Sequence, residues 1–201
     1  MILSFIVQKN KCNFKRKVMR IGITGTQSTG KTTLVKELAK LPEFKDYKIA
    51  CERSKYLNSL GIPLNHQTTI EGQTIFLAER VTELMQDTIV TDRTIIDVIA
   101  FTQCARKVSI VDADAFTEYA KRFIHQYDYI FYVSPEGVEI EDNGVRETNS
   151  EYRDQIDKTI QQLLFKYVPT YYTLKGTTEE RIQQVKEVID MQYLYKKYIN
   201  D

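Results

Sequence analysis

Short apolar runs alternate along the chain with longer segments in which apolar residues recur every three or four positions. The short runs predict β-strands, and the longer segments predict amphipathic helices that each bury one face. Their alternation is typical of βαβ units, so we expect an α/β fold with about five parallel strands flanked by helices. The predicted strands cover residues 21–24, 48–51, 88–91, 129–133 and 171–174.

Four helical segments show the apolar spacing most clearly, and a further helix is expected over residues 31–41. The four stripes are Leu77, Val81, Leu84 and Met85; Phe116, Tyr119, Phe123 and Ile124; Ile156, Ile160, Leu163 and Leu164; and Ile182, Val185, Val188 and Ile189. The sequence shows no repeat, low-complexity stretch or Pro/Gly-rich linker between them. We therefore expect a single domain over residues 19–201.

Charge separates the first residues from this domain. Six of the 28 basic residues lie within residues 1–20, where no acidic residue occurs, so the rest of the chain is net negative. Residues 1–18 are interpreted as a basic N-terminal extension. An apolar stretch followed by charge is the reverse of a secretory signal, and no apolar run reaches the roughly 20 residues that span a membrane. Three widely spaced cysteines favour reduced thiols and a cytoplasmic location.

A phosphate-binding loop is the strongest chemical signal. Residues 25–32 fit the pattern G-x-x-x-x-G-K-[ST] between a predicted strand and a predicted helix. Backbone N–H groups of such a loop surround phosphates, the lysine reaches the β- and γ-phosphates, and the hydroxyl ligates magnesium. We therefore predict ATP and Mg2+ as ligands of a P-loop three-layer sandwich. The predicted nucleotide-binding residues are Gly25, Thr26, Gln27, Ser28, Thr29, Gly30, Lys31, Thr32 and Thr33.

Other segments narrow the class of P-loop protein. A GTPase needs an Asn-Lys-x-Asp sequence on a later strand, and the chain has none. Motor ATPases usually have an acidic pair at a strand end, whereas here the acid Asp92 is followed by the cation Arg93. The glutamate that activates water is missing from its usual place, which favours transfer to a bound acceptor over hydrolysis.

Three segments resemble nucleoside and nucleoside-monophosphate kinases and the NadR-like ATPase/kinase family, which includes a nicotinamide riboside kinase. Residues 92–101 (DRTIIDVIAF) are similar to a D-R-[ST/Y]-x-x-[DS]-x-x-A-[YF] segment, and residues 52–57 (ERSKYL) to E-x-A-R-x-L. Residues 142–157 resemble a D-G-x-R…Y-R-x-x-I-D lid. The resemblance covers roughly residues 20–190, with Lys55 replacing a usual arginine and Asn143 inserted before the lid glycine.

The resemblance implies an acceptor site opposite the P-loop and a lid over about residues 136–155. It places Glu52 toward the acceptor, with Arg93 and Asp97 as further substrate-binding residues. Asp92 either acts as the base or holds magnesium together with Thr32, and the sequence leaves open whether Glu52 or Asp92 is the base. A structural alternative for Asp92 and Glu52 is a strand-end acid that caps a helix.

The lid candidates are two arginines, Arg146 and Arg153. Arg153 lies in the first turn of a helix that Ser150 can cap, where a cation opposes the helix dipole. A phosphate partner would explain this placement, and an i,i+4 pair with Asp157 is the alternative. Arg93 likewise has a rival interpretation as the partner of a nearby acid.

These features favour an ATP-dependent kinase whose acceptor is a nucleoside, a nucleoside monophosphate or nicotinamide riboside. A nucleotide-dependent regulatory ATPase or binding module is the second hypothesis. A kinase that acts on nucleic-acid ends or modified bases is the third, and it is less favoured because the body of the chain is acidic. The sequence leaves the oligomeric state open.

Overall fold

A five-stranded parallel sheet forms the centre of the computed structural model, which describes residues 19–51, 53–137 and 150–199. The strands are β1 Met19–Thr24, β2 Lys48–Ala50, β3 Thr88–Asp92, β4 Tyr129–Val133 and β5 Tyr172–Leu174. Their spatial order is β2-β3-β1-β4-β5, so β1 is the central strand and pairs with β3 and β4. The predicted fold class is confirmed.

Seven α-helices accompany the sheet within these ranges, together with three short 3-10 helices. The α-helices are α1 Lys31–Leu38, α2 Ser54–Ser59, α3 Ile70–Glu83, α4 Ile95–Gln103, α5 Ile110–Ala120, α6 Ser150–Tyr167 and α7 Thr178–Ile199. The 3-10 helices are Pro42–Phe44, Asn65–Gln67 and Lys121–Gln126. No helix in these ranges is both long enough and apolar enough to cross a membrane.

Two apolar clusters, one on each face of the sheet, hold the layers together. β4 shows the division, since Phe131 joins the cluster with α1 and α7, whereas Ile130 joins the cluster built by α3, α4, α5 and α6. Successive side chains of a strand point to opposite faces, so β4 is buried throughout and still supplies both clusters. This sandwich fixes the strand ends, where ligands bind in sheets of this type.

The predicted apolar stripes are buried in the middle of the helices, but some of their residues near helix ends are exposed. Ile156, Ile160 and Leu164 are fully buried, as expected. Met85 is 63% exposed because α3 ends at Glu83 and the chain then turns toward β3. Tyr119, next to the last residue of α5, is 58% exposed, and its ring packs edge-on against Phe123 with ring centres 5.5 Å apart. Those two positions were wrong as core residues.

The helix after the P-loop is shorter than the predicted span of residues 31–41. It ends at Leu38, and Pro42 begins a 3-10 helix. A proline disfavours helical backbone at the residue that precedes it, and Leu41 before Pro42 is extended, so the helix cannot continue to residue 41. The α1 segment therefore packs only Leu34, Val35 and Leu38 into the core beneath the sheet.

Candidate functional site

The loop after β1 wraps tightly because three of its residues adopt left-handed backbone. Gly25 has φ 144°, Ser28 has φ 58° and Gly30 has φ 80°. A Cβ on Gly25 would stand 2.7 Å from the carbonyl oxygen of Val133, so the loop crosses β4 at a distance that only glycine allows. The loop then leads directly into α1.

Lys31 lies across the mouth of this loop. Its side chain is 5% exposed, and the ammonium donates hydrogen bonds to the Thr26 carbonyl oxygen and to Thr29 Oγ1. The first residues of α1 carry no intrahelical partner for their N–H groups, which gives this helix start a partial positive charge. Lysine and helix start together form an anion-binding position.

Thr32 and Asp92 meet beside Lys31. The Thr32 hydroxyl donates to Asp92 Oδ2, and Asp92 is 1% exposed. The parallel pairing of β1 and β3 brings Asp92 to the P-loop, because Asp92 is in register with Ile23, which lies two residues before the P-loop begins. The capping alternative for Asp92 does not hold, since α4 is capped by Thr94 in a capping box.

Asp97 closes that capping box and links it to the P-loop. Its Oδ2 accepts from the Thr94 N–H (2.7 Å) and hydroxyl (2.9 Å), and its Oδ1 accepts from the Gly25 N–H at 3.3 Å. The residue is fully buried. A carboxylate so engaged stabilises the loop directly, and its role in substrate binding stays a prediction.

Arg93 projects from a bend immediately after β3. Its φ is 81°, an uncommon value for a residue with a side chain. Its Nη1 lies 3.7 Å from Asp97 Oδ1, and its guanidinium lies 4.9 Å from the ring centre of Phe101. The rival interpretation of Arg93, a pair with a nearby acid, therefore describes one of its contacts, while the side chain also lines the cleft described below.

The first turn of α6 packs on the P-loop. The Thr26 hydroxyl donates to the carbonyl oxygen of Arg153 at 3.2 Å. Arg153 is 8% exposed, and this burial lowers the pKa of its guanidinium, with Asp154 and Asp157 acting in the opposite direction. The Asp157 carboxylate accepts from the Tyr132 hydroxyl (2.8 Å) and the Gln161 amide (2.7 Å).

Two predicted site residues, Glu52 and Arg146, lie outside the described residues, as do residues 138–149 of the predicted lid. Thr33 is described and is exposed on α1, away from the buried loop residues. The roles assigned to these three residues stay predictions.

Arg181 is a loop contact that the sequence patterns did not single out. From α7 its Nη1 donates to the carbonyl oxygen of Thr29 at 2.6 Å, and the residue is 5% exposed. Burial lowers the pKa of its guanidinium. A cation near the start of a helix was the available signal, since the same feature drew attention to Arg153. The cap of α7 is Thr177, which bonds reciprocally with Glu180.

A cleft opens beside the P-loop. Residues 27–32 line one wall, and Asp92, Arg93 and Asp97 also line the cleft. The second wall is apolar and carries two amide groups. It includes Leu64, Asn65, Gln73, Phe76, Val98 and Phe101.

This second wall was missed because its members are spread over three elements. Gln73 and Phe76 come from α3, Val98 and Phe101 from α4, and Asn65 from a 3-10 helix. Gln73 is 4% exposed and donates to Thr68 Oγ1 at 2.9 Å, which fixes its amide. Apolar and aromatic walls with a few placed polar groups are the usual lining of small-molecule sites.

The oxygen atoms of Thr32 and Asp92 suit a hard divalent cation. Among the described residues no three His, Cys, Asp or Glu side chains cluster as a complete metal cage. Magnesium bound with nucleotide needs only one or two protein ligands, because phosphates and waters complete its shell. The Thr32–Asp92 pair therefore fits magnesium.

Comparison with protein families gives one match. A family described as "AAA domain" matches residues 20–181. A comparison with curated protein sequences finds no match.

Solved structures of similar fold include a deoxyadenosine kinase, a thymidylate kinase and NadR. A deoxyadenosine kinase from M. mycoides, with products dCMP and dCDP bound, has a TM-score of 0.65 and 18% identity over 86% of this chain and 99% of that one. Thymidylate kinase from Candida albicans has a TM-score of 0.64 and 17% identity over 88% and 93%. NadR in complex with NR has a TM-score of 0.66 and 16% identity over 86% of this chain and 51% of NadR. At these identities the likeness concerns the fold, and it confirms the resemblance that the sequence segments indicated.

Proposed function

Since the chain belongs to the AAA domain family of P-loop proteins, we propose that it catalyses ATP- and magnesium-dependent phosphoryl transfer to a small nucleoside-type acceptor. The acceptor classes are a nucleoside, a nucleoside monophosphate and nicotinamide riboside. The names of the similar structures support this range, because they are a deoxyadenosine kinase, a thymidylate kinase and NadR with NR.

The main support for the proposal is that a single cleft is lined both by the P-loop and by a second, apolar wall. The P-loop, Asp92, Arg93 and side chains of α3 and α4 all line this one cleft. Phosphoryl transfer needs donor and acceptor in line, with charge neutralised between them and water excluded. A nucleotide-binding module alone would not require the second, aromatic wall.

On the donor side, Lys31 and the start of α1 bind the phosphates. The ammonium already contacts two oxygen acceptors in the loop, Thr26 O and Thr29 Oγ1, and phosphate oxygens are stronger acceptors. Thr32 and Asp92 would hold magnesium, which when bound neutralises charge on the β- and γ-phosphates. Arg153 and Arg146 would add positive charge from the lid side.

On the acceptor side, Phe76 offers a face for a base, and the amides of Gln73 and Asn65 can fix its orientation. Arg93 lines the same cleft over the Phe101 ring and can bind the group that receives the phosphoryl. The acceptor hydroxyl loses its proton to Asp92 or to Glu52. Asp97 is a poor base, since its oxygens already accept three hydrogen bonds.

The test is an ADP-release assay with ATP and Mg2+ across nucleosides, nucleoside monophosphates and nicotinamide riboside, with mass spectrometry of the product. We expect at least one acceptor to raise ADP release about tenfold or more above the rate without acceptor. The product should be heavier by one phosphoryl group. Lys31→Ala is the inactive control.

A protein that binds triphosphate tightly and releases ADP at one unchanged rate with every acceptor would contradict the proposal. That result would favour the regulatory ATPase or binding module. Stimulation by DNA or RNA ends alone would favour the third hypothesis.

A further inference from the structure

The helix that lines the acceptor wall also carries a buried arginine. Gln73 and Phe76 of α3 line the cleft, and Arg80 follows Phe76 by four residues on the same helix. Residues four apart lie on neighbouring turns of one face. Arg80 is 3% exposed and reaches the carboxyl end of β3.

Arg80 contacts the residue that faces the P-loop. Its Nη1 donates to the backbone oxygen of Asp92 at 2.9 Å. The next residue, Arg93, has left-handed backbone and donates its own N–H to the Ile23 carbonyl oxygen at 2.9 Å. The bend after β3 is therefore held from both sides, and the direction of the Asp92 carboxylate toward Thr32 depends on that bend.

Two glutamates orient the guanidinium. Glu83 Oε1 lies 2.7 Å from Arg80 Nη2, and Glu79 Oε2 lies 4.0 Å from the same atom. Both glutamate side chains are only 17% exposed. The rigid fork of arginine can serve a carboxylate and a carbonyl oxygen at the same time, which a lysine ammonium on a flexible stem does less well.

Glu79 extends this cluster to Arg53 and Ser54, which we call the acceptor loop because Ser54 lines the cleft. Its Oε1 lies 3.1 Å from Nη1 of Arg53, the residue that precedes α2. Ser54, the first residue of α2, lines the cleft. A continuous set of charged contacts thus runs from the loop before α2, through Glu79 and Arg80, to Asp92.

We propose that Arg80 is a positioning residue of the phosphoryl-transfer site, an inference that rests on the proposed function. It holds Asp92 at Thr32, and through Glu79 and Arg53 it ties the acceptor loop to the same strand end. It touches neither substrate in this role. A purely structural arginine would affect the stability of the fold alone.

The test compares nucleotide binding with and without Mg2+, using a fluorescent ATP analogue. The variants are Arg80→Lys and the double variant R80Q/E83Q, which removes the arginine and its closest partner charge together. The control is Arg20→Gln. Arg20 Nε also donates to a backbone oxygen, that of Gln86 at 3.0 Å, but at the opposite end of the sheet.

In the wild-type protein Mg2+ should tighten nucleotide binding. The double variant should lose about tenfold of this gain, in the range seen when a partner of a metal ligand is removed, and R80K should lose part of it. Nucleotide affinity without Mg2+ should stay within about twofold in both. R20Q should lower the melting temperature and keep the full gain.

The Arg80 proposal is overturned if both variants keep the Mg2+-dependent gain within about twofold of wild type, or if wild type shows no gain. R80K, which keeps the charge, decides the matter if the double variant does not fold. Failure of every acceptor in the ADP assay would refute the proposed function instead, because the binding measurement needs no acceptor. With an active acceptor, R80K should lower kcat and raise KM for ATP by the part of the Mg2+-dependent gain that it loses.

Discussion

The two walls of the cleft are built in different ways. The donor wall is one continuous loop, residues 27–32, whose backbone and side chains come from adjacent positions. The acceptor wall is assembled from Gln73 and Phe76 on α3, Phe101 on α4 and Asn65 on a separate 3-10 helix. A local wall tolerates little change at any position, whereas a dispersed wall can be altered one residue at a time. Under the proposed function, the donor wall would fix the reaction type and the acceptor wall would select the acceptor.

The largest effect is expected at Lys31, and it would break the donor wall alone. Lys31→Ala removes the ammonium that lies across the loop mouth, so kcat should fall at least about a hundredfold. Acceptor binding, measured by calorimetry without nucleotide, should stay within about twofold. The matched control is Lys40→Ala, which removes an exposed lysine that follows α1 and pairs with Glu37 at the surface. A Lys31→Ala protein with near-normal kcat would contradict the assignment of this loop.

A substitution in the acceptor wall should weaken acceptor binding and leave ATP binding unchanged. Phe76→Ala removes an aromatic face of the cleft, and we expect KM for the acceptor to rise about tenfold, which corresponds to about 1.4 kcal/mol. The Kd for ATP should not change. Thr74→Ala, an exposed position of the same helix, should leave both values unaltered. An equal loss of ATP and acceptor binding would show that the two walls are not separate sites.

How much of each wall could be predicted follows from this difference. Gly25, Gly30, Lys31 and Thr32 were identified from the sequence because the chemistry of a phosphate loop depends on residue types at fixed spacing. Asp92 was identified because it ends a strand, and the sheet register places it beside the loop. Strand and helix assignment depended in the same way on local periodicity.

The remainder depends on which elements pack together. Gln73 and Phe76 look like ordinary members of an amphipathic helix, and only the packing of α3 against α4 brings them to the cleft. Arg80 has no local signal at all, since an arginine in a helix is usually solvated. Its buried bond to the Asp92 carbonyl oxygen arises from tertiary structure.

A smaller effect is expected at Arg181, which supports the donor wall from α7. Arg181→Gln removes the 2.6 Å bond to the Thr29 carbonyl oxygen, so Kd for ATP should rise about threefold to tenfold. The unfolding free energy should change little, because the buried Nε of Arg181 has no hydrogen-bond partner within residues 19–51, 53–137 and 150–199. Lys186→Ala, on the exposed side of the same helix, is the control. Unchanged ATP binding in R181Q would restrict the donor wall to the loop itself.

The smallest effect that we expect concerns Glu83, the partner of Arg80, and it is a change in how the unfolding free energy depends on pH. Burial raises the pKa of Glu83 from 4.5 to about 7; Arg80 and Arg53 lower it, whereas Glu79 and Asp92 raise it. The folded protein therefore holds this proton more tightly than the unfolded chain does. The contribution of Glu83 is present below about pH 4.5 and is lost as the pH rises through about 7.

Glu83→Gln removes this titration, so the unfolding free energy of the variant should fall less than that of wild type between about pH 5 and about pH 8. Urea unfolding at the two pH values measures the difference. Glu37→Gln, at a half-exposed position, should reproduce the wild-type slope. Parallel slopes for wild type and E83Q would mean that Arg80 keeps Glu83 ionised throughout. Arg80 would then pair with a Glu83 that is charged at every pH tested, and its hydrogen bond to the Asp92 carbonyl oxygen would not vary with pH.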